Sequence, residues 1–279
     1  MLEINGSTKM LAIIGNPVEH SHSPEMHNFL SEKFGNNYAY AAFDVLPENL
    51  AAAADGIRAL GIAGVNVTAP HKFNILKYLD EISDDAKNFG SVNTVVNRGG
   101  RLCGFNTDAE GFLSSLMHEG VNVEGHDILI VGAGGATQPI AVLFAMRGAR
   151  SITIKNRTQK NADRLAEYVK SVTGYNISTF PSLSRYDIVI NTTSVGMYPN
   201  IDSCPIDDFS FIDENTAAAD MIYNPKKTVF LQNAEKRGAK IINGLGMLIY
   251  QGILAYELFT GTKLPENAFD MIKKEVFGK

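Results

Sequence analysis

The sequence predicts an α/β protein of two domains, on three observations. Short β-branched runs alternate with helical stretches, the alternation starts afresh near residue 127 with a glycine-rich loop, and 279 residues suit roughly two cores. Composition agrees: 45% hydrophobic and 20% charged residues exclude disorder, collagen and coiled coil as descriptions of the whole chain. Twenty-five Lys and Arg against 30 Asp and Glu give a net charge of -5 with no long basic run, which argues against nucleic acid as a partner. Cys103 and Cys204 lie far apart with no CxxC spacing, so neither a disulfide frame nor a four-thiolate metal site is expected, and a reducing cytoplasm fits. MLEINGSTKM holds no apolar core of signal-peptide length, and the longest clean apolar run, 140–146, is too short to span a bilayer. A soluble, cytoplasmic protein without a membrane partner is expected.

Taken in order, KMLAIIG (Lys9 to Gly15) reads as a strand and Pro24 to Phe34 as a helix; YAYAAFDV (Tyr38 to Val45) is the next strand. Pro47 opens an Ala-rich helix over Glu48 to Leu60, IAGVNVT (Ile62 to Thr68) is a strand, and a helix is expected near Lys72 to Leu79. Ser91 to Asp108 differs, because two alternating runs flank Arg98-Gly99-Gly100 as in an antiparallel hairpin, expected to close the first sheet. A helix over Ala109 to Glu119 ends near Gly120, and the domain boundary is placed near Asp108. The second series runs through DILIVGAGGAT (Asp127 to Thr137), SITIKN (Ser151 to Asn156), NISTF (Asn176 to Phe180), YDIVINTT (Tyr186 to Thr193), TAAADMIY (Thr216 to Tyr223) and AKIINGLG (Ala239 to Gly246). Most of these strands are near-continuously apolar, as a doubly covered parallel sheet of Rossmann type requires. Met247 to Lys279 is helical in pattern and is expected to return to the first domain.

Gly132-Ala133-Gly134-Gly135 follows an apolar strand and precedes a helical run, the context in which glycine backbones approach a pyrophosphate at a helix N-terminus. Thr137 holds the third position of GxGxxG, so the context carries the reading rather than the pattern; a glycine turn kept for packing is the alternative. An NAD site would end the next strand in an acid. This one ends in Lys155-Asn156-Arg157-Thr158, where a guanidinium suits a 2′-phosphate, so NADP is favoured unless Arg157 is simply solvated.

The first half carries three polar clusters at predicted strand ends, where open α/β sheets place ligands. Ser21 and Ser23 precede a helix opened by Pro24; Ser23 alone is readily an N-cap, while the pair with the helix-start N–H groups also suits a carboxylate. Strand alternation puts Asn66 and Thr68 on one face, and Lys72 follows at a helix start, a mildly unfavourable place for a cation. Asn93-Thr94 sits on the hairpin and Asn106-Thr107-Asp108 at the domain junction, where Asp108 has the alternative of capping the next helix.

These segments, in this order, resemble the shikimate dehydrogenase family. GNPVEHSHSP (Gly15 to Pro24), NVTAPHK (Asn66 to Lys72), SVNT (Ser91 to Thr94), GFNTD (Gly104 to Asp108), GAGGA (Gly132 to Ala136), NRT (Asn156 to Thr158), NTTSVGM (Asn191 to Met197) and GLGMLIYQG (Gly244 to Gly252) carry the likeness, which spans essentially the whole chain. The resemblance implies an NADP-dependent oxidoreductase of aromatic amino-acid biosynthesis that reduces 3-dehydroshikimate to shikimate. It implies a substrate domain over 1–107, an NADP-binding domain over 108–243, and C-terminal helices over 244–279 packed on the former. It places Ser21 and Ser23, with Tyr223, at the substrate carboxylate, and Asn66, Thr68, Asn93, Asp108 and Gln251 at the ring hydroxyls. Lys72 falls on the catalytic lysine, with Asp108 beside the same hydroxyl. Gly132, Ala133, Gly134, Gly135 and Ala136 fall at the pyrophosphate, Asn156, Arg157 and Thr158 at the 2′-phosphate, and Met221 and Gly244 near the nicotinamide. Two positions depart from the family: Gln138 stands where a basic residue is frequent, and Asn161 aligns with a second basic position, leaving Lys160 as its stand-in. The partner implied is a small molecule, on a monomer or homodimer with no metal.

Lysine suits the chemistry in either of two ways. It can carry the proton exchanged at the alcohol oxygen, or donate a charged hydrogen bond that stabilises the developing alkoxide. The rivals are a broader quinate/shikimate or aminoshikimate dehydrogenase, a non-catalytic NADP-binding sensor that would need neither Lys72 nor Asp108, and a metal site of His20, His22 and His27.

Overall fold

The structure is a computed structural model and describes residues 3–278. The chain opens with β1 (Lys9–Gly15), α1 (Ser23–Lys33), β2 (Tyr38–Asp44), a 3₁₀ turn at Pro47–Asn49, α2 (Leu50–Ala59) and β3 (Gly64–Val67). It continues through β4 (Glu81–Ile82), α3 (Asp84–Phe89), β5 (Thr94–Arg98), β6 (Arg101–Phe105) and α4 (Asp108–His118). The parallel series follows as β7 (Asp127–Val131), α5 (Thr137–Met146), β8 (Ser151–Lys155), α6 (Gln159–Thr173), β9 (Ile188–Asn191), β10 (Ala217–Asp220), α7 (Val229–Lys236) and β11 (Lys240–Ile242), and α8 (Leu245–Thr260) and α9 (Ala268–Glu275) end the chain. Two compact units result, Met1–Gly111 with Ile249–Lys279, and Phe112–Leu248. The division therefore falls inside α4 and α8, a few residues past positions 108 and 244.

The first unit holds a mixed six-stranded sheet in the order β2-β1-β3-β5-β6-β4. β1 lies between β2 and β3, parallel to both, with Leu11 opposite Tyr40 and Ile13 opposite Asn66. Tight returns are possible because α1 and α2 carry apolar stripes: Met26 and Leu30, then Leu50, Ala54 and Ile57, are buried. Ala255 and Phe259 of α8 join Leu11, Ile13 and Tyr40 in one apolar cluster, which brings the C-terminal stretch into this unit. In the second unit the five strands are all parallel, ordered β11-β10-β9-β7-β8. The chain leaves β7 for β8 on one side and then β9 on the other, so the loops after β7 and β9 flank the point where the winding reverses, the usual ligand crevice of such a sheet. No helix among the described residues is long and apolar enough to cross a membrane.

Three local expectations fail for identifiable reasons, and one helix, α3, forms where none was expected. The helix expected over Lys72 to Leu79 is only a 3₁₀ turn at Asn74–Tyr78: Val92 N–H holds the Lys72 carbonyl, and Leu79 is already extended, leaving too few residues for α-helical turns. Asn176 to Phe180 forms no strand; Ser178 alone bridges to Thr153, with Pro181 close behind to remove a ladder donor. The hairpin does not close the first sheet, because the two-residue β4 pairs outside β6. α3 was legible but not read: Ser83 Oγ accepts the Ala86 N–H, two aspartates fill the first turn, and Gly90 ends it at φ 66°.

Candidate active site

The three polar clusters of the first unit are one hydrogen-bonded network. Lys72 sits in the turn before the 3₁₀ segment rather than at an α-helix start, so no helix dipole opposes it. Its Nζ donates to Asp108 Oδ2 at 2.6 Å, with side-chain exposures of 31% and 16% that leave the pair reachable by a ligand. Asn93 Nδ2 donates to the other oxygen, Oδ1, at 2.9 Å. Asp108 is free for this because Asn106 takes the cap: its Oδ1 accepts the N–H groups of Asp108 and Ala109, while its Nδ2 donates to Ser91. Asn93 is oriented in turn by the Thr107 N–H, which reaches Asn93 Oδ1 at 2.7 Å and, being a backbone donor, settles which end of the amide faces Asp108.

Asn66, buried at 6% exposure, donates through Nδ2 to the Asn93 carbonyl and to Thr94 Oγ1, both at 3.2 Å. Tyr40 Oη donates to Asn66 Oδ1 at 2.8 Å. Burial pushes the Tyr40 phenol well above its ordinary value, opposed by a hydrogen bond from the Ser23 side chain. Thr68 is half-buried beyond β3, its N–H on the Ile14 carbonyl. Ser23 is not an N-cap: it is the buried first residue of α1, His22 holds the cap position without a side-chain cap bond, and Ser21 Oγ accepts the Ser23 N–H at 3.2 Å. Gln251 is half-buried in α8, where Gly111 of α4 lets the helices approach so closely that a Cβ there would meet the Gln251 backbone N at 2.6 Å.

The histidines do not form a cluster. His22 pairs with Glu25 at 3.1 Å, whereas His27 is wholly buried, stacked on Tyr40 at 4.4 Å with neither ring nitrogen hydrogen-bonded, and burial lowers its pKa to about 3. Among the described residues no group of three or more His, Cys, Asp and Glu is placed to hold a metal ion.

In the second unit Gly132 directly follows β7 with φ 120°, where a Cβ would meet Thr192 Oγ1 of the loop after β9 at 2.5 Å, so only glycine fits. Ala133 is half-buried; Gly134, Gly135 and Ala136 are exposed where α5 begins, and Thr137 Oγ1 steadies the loop through the Gly134 N–H and Thr192. Past β8, Asn156 is half-buried with its Nδ2 on the Thr158 carbonyl, and Arg157, Thr158 and Lys160 are exposed. Met221 and Tyr223 are half-buried beyond β10, and the Gly244 N–H donates to the Ile222 carbonyl.

Two features of the site escaped sequence reasoning. Tyr40 reads as a core aromatic in YAYAAFD; the signal was its hydroxyl, which a buried tyrosine must satisfy. Asp220 is fully buried with no cation: its Oδ1 accepts Asn191 Nδ2 at 3.1 Å and Ile222 N–H at 2.9 Å, and its Oδ2 accepts Thr228 Oγ1 at 2.7 Å. It ties the loops after β9 and β10 to the start of α7.

A doubly wound parallel sheet with a glycine loop at its switch point, preceded on the chain by a mixed sheet carrying a lysine–carboxylate pair, defines a two-domain protein of the dinucleotide-binding class. A family model for the shikimate dehydrogenase substrate-binding domain matches residues 13–95, one for shikimate/quinate 5-dehydrogenase matches 115–199, and one for the shikimate 5′-dehydrogenase C-terminal domain matches 244–269. A curated shikimate dehydrogenase (NADP(+)) of Methanocaldococcus jannaschii is 45% identical, over 99% of both chains. A solved shikimate dehydrogenase in complex with NADP+ superposes with a TM-score of 0.91 at 44% identity, over 96% of each chain. The shikimate 5-dehydrogenase of Listeria monocytogenes, solved with shikimate and NAD, gives 0.90 at 35% identity, over 96% of this chain and 97% of its own. The chain belongs to the shikimate dehydrogenase family.

Proposed function

We propose that this chain is an NADP-dependent oxidoreductase that interconverts 3-dehydroshikimate and shikimate. The observation that carries the reading is the Lys72–Asp108 pair, with Asn93 on the second carboxylate oxygen, in a chain whose relatives are named for this reaction. The cofactor, when bound, supplies or accepts the hydride. The residues of the second unit suit such a group: open space lies over Gly134, the glycine loop is exposed at a helix start, and Arg157 offers a guanidinium for a 2′-phosphate.

The chain's own part is to orient the sugar-like ring and handle one proton. Lys72 donates from Nζ to the oxygen that gains the proton in reduction, and in the oxidative direction accepts that proton back. Asp108 accepts a hydrogen bond from the same hydroxyl and holds the ammonium in place through its 2.6 Å contact. Ser21, whose Oγ accepts a backbone N–H, keeps its own proton for the substrate carboxylate. Ser23, Asn66, Thr68, Asn93 and Gln251 complete the proposed substrate contacts of the first unit, and the reaction belongs to aromatic amino-acid biosynthesis in a soluble, cytoplasmic setting.

Initial rates of nicotinamide reduction with shikimate or quinate, crossed against NADP or NAD, test the reading. Turnover concentrated on shikimate with NADP is expected. Comparable rates with quinate or NAD would move the chain to a broader dehydrogenase, and NADP binding without any turnover would leave a sensor.

A further inference from the structure

Asn66 commits both amide hydrogens inside the protein, to the Asn93 carbonyl and to Thr94 Oγ1. A backbone carbonyl can only accept, so the atom facing the Asn93 carbonyl is Nδ2 and the one facing Tyr40 is Oδ1. Oδ1 has two lone pairs, and one takes the Tyr40 hydroxyl at 2.8 Å. Tyr40 is itself held: it is 5% exposed, packed with Leu11, Ile13 and Phe259, and stacked on His27 with an interplanar angle of 6°. It reaches Asn66 from β2 although β1 lies between their strands.

We propose that Tyr40 is a positioning residue for the substrate: its hydroxyl fixes the Asn66 carboxamide so that one acceptor lone pair, and no N–H, is presented to a ring hydroxyl. Asn66 then reads that hydroxyl as a hydrogen-bond donor, and a ring bearing an ether or a keto oxygen there meets an acceptor facing an acceptor. The proposal rests on the reading of the reaction above and adds the polarity of one contact and the group that sets it.

A double-mutant cycle in the full-length enzyme tests it. Tyr40→Phe keeps the ring, its volume and the stack on His27, and deletes one proton donor. It is expected to raise KM for shikimate roughly 3- to 10-fold, the weight of one hydrogen bond, with kcat changed much less and NADP affinity measured by fluorescence titration unchanged. In an Asn66→Ala background the same change is expected to leave KM where Asn66→Ala put it, because its route is gone. An unchanged KM with a lowered Tm would make Tyr40 merely structural, and equal fold-changes in both backgrounds would show that it does not act through Asn66; either result overturns the proposal. Absence of shikimate turnover in the unmodified enzyme would instead overturn the reading of the reaction.

Discussion

Each unit builds a buried polar network around one aspartate, and the two differ in what faces the carboxylate. Asp108 meets an ammonium and an amide and keeps 16% of its side chain exposed; Asp220 meets only neutral donors, Asn191, Thr228 and the Ile222 N–H, and has no exposure at all. Burial without a counter-charge pushes the Asp220 carboxyl above its ordinary value, although its three hydrogen bonds pull the other way. An open, charge-balanced carboxylate can exchange hydrogen bonds with a ligand. A sealed, unbalanced one can only hold loops together, and its charge is a standing cost to folding.

The comparison can be broken most sharply at Lys72. Lys72→Ala is expected to lower kcat by about 10²- to 10⁴-fold with little change in KM and little in Tm, since a half-exposed cation contributes chiefly to the reacting state. Steady-state kinetics with thermal melting decide it; a large loss of Tm at unchanged kcat would make this network structural like the other.

Asp220→Ala is expected to do the reverse, destabilising by about 2–4 kcal/mol in denaturant unfolding because three donors lose their acceptor. Asp220→Asn is expected to be far milder and to carry a pH signature. A carboxyl with a raised native value favours folding most when protonated, so its contribution is complete below the unfolded value near ~3.9 and fades as pH rises through the raised native one. The amide variant should lose that decline. An unaltered stability-pH curve would mean the Asp220 charge is not the cost described.

His27 provides the opposite sign within the first unit. Its pKa falls from 6.5 to about 3 on burial, so the stability of its neutral form is present above 6.5 and is lost as pH drops toward 3. Each pH unit in that window costs up to ~1.4 kcal/mol. His27→Phe, which preserves the stack on Tyr40, should flatten the acid limb of unfolding free energy; an unchanged limb would assign it elsewhere. The smallest effect concerns an exposed residue outside both networks: Arg157→Ala should weaken NADP about tenfold and NAD hardly at all in parallel titrations, and equal losses would remove the 2′-phosphate contact.

Much of both halves was legible because strands, turns and caps are local chemistry. The apolar runs located β1, β5, β6, β7 and β9 to within a few residues, and the glycine loop announced itself by following β7. Lys72, Asn93 and Asp108 stood out as polar residues at strand ends. The errors cluster where local signals were weak or tertiary forces prevailed: Asn176 to Phe180 alternates like a strand but has only β8 beside it, and Lys72 to Leu79 has helical spacing but is pinned at Lys72 by Val92. The alternative of Ser23 as an N-cap does not hold, because α1 starts at Ser23 itself, with His22 at the cap position.

The sequence by itself determined the α/β class, the restart of the series near residue 127, the polar clusters and the family, since each is written in residues close along the chain. Only the tertiary structure decided that Lys72 meets Asp108 across 36 positions, that Tyr40 reaches Asn66 past β1, and that Asp220 is sealed without a cation. The reason is physical. Hydrogen-bond polarity and burial belong to pairs of groups, and which groups become neighbours is set by strand order and register, which no single segment specifies.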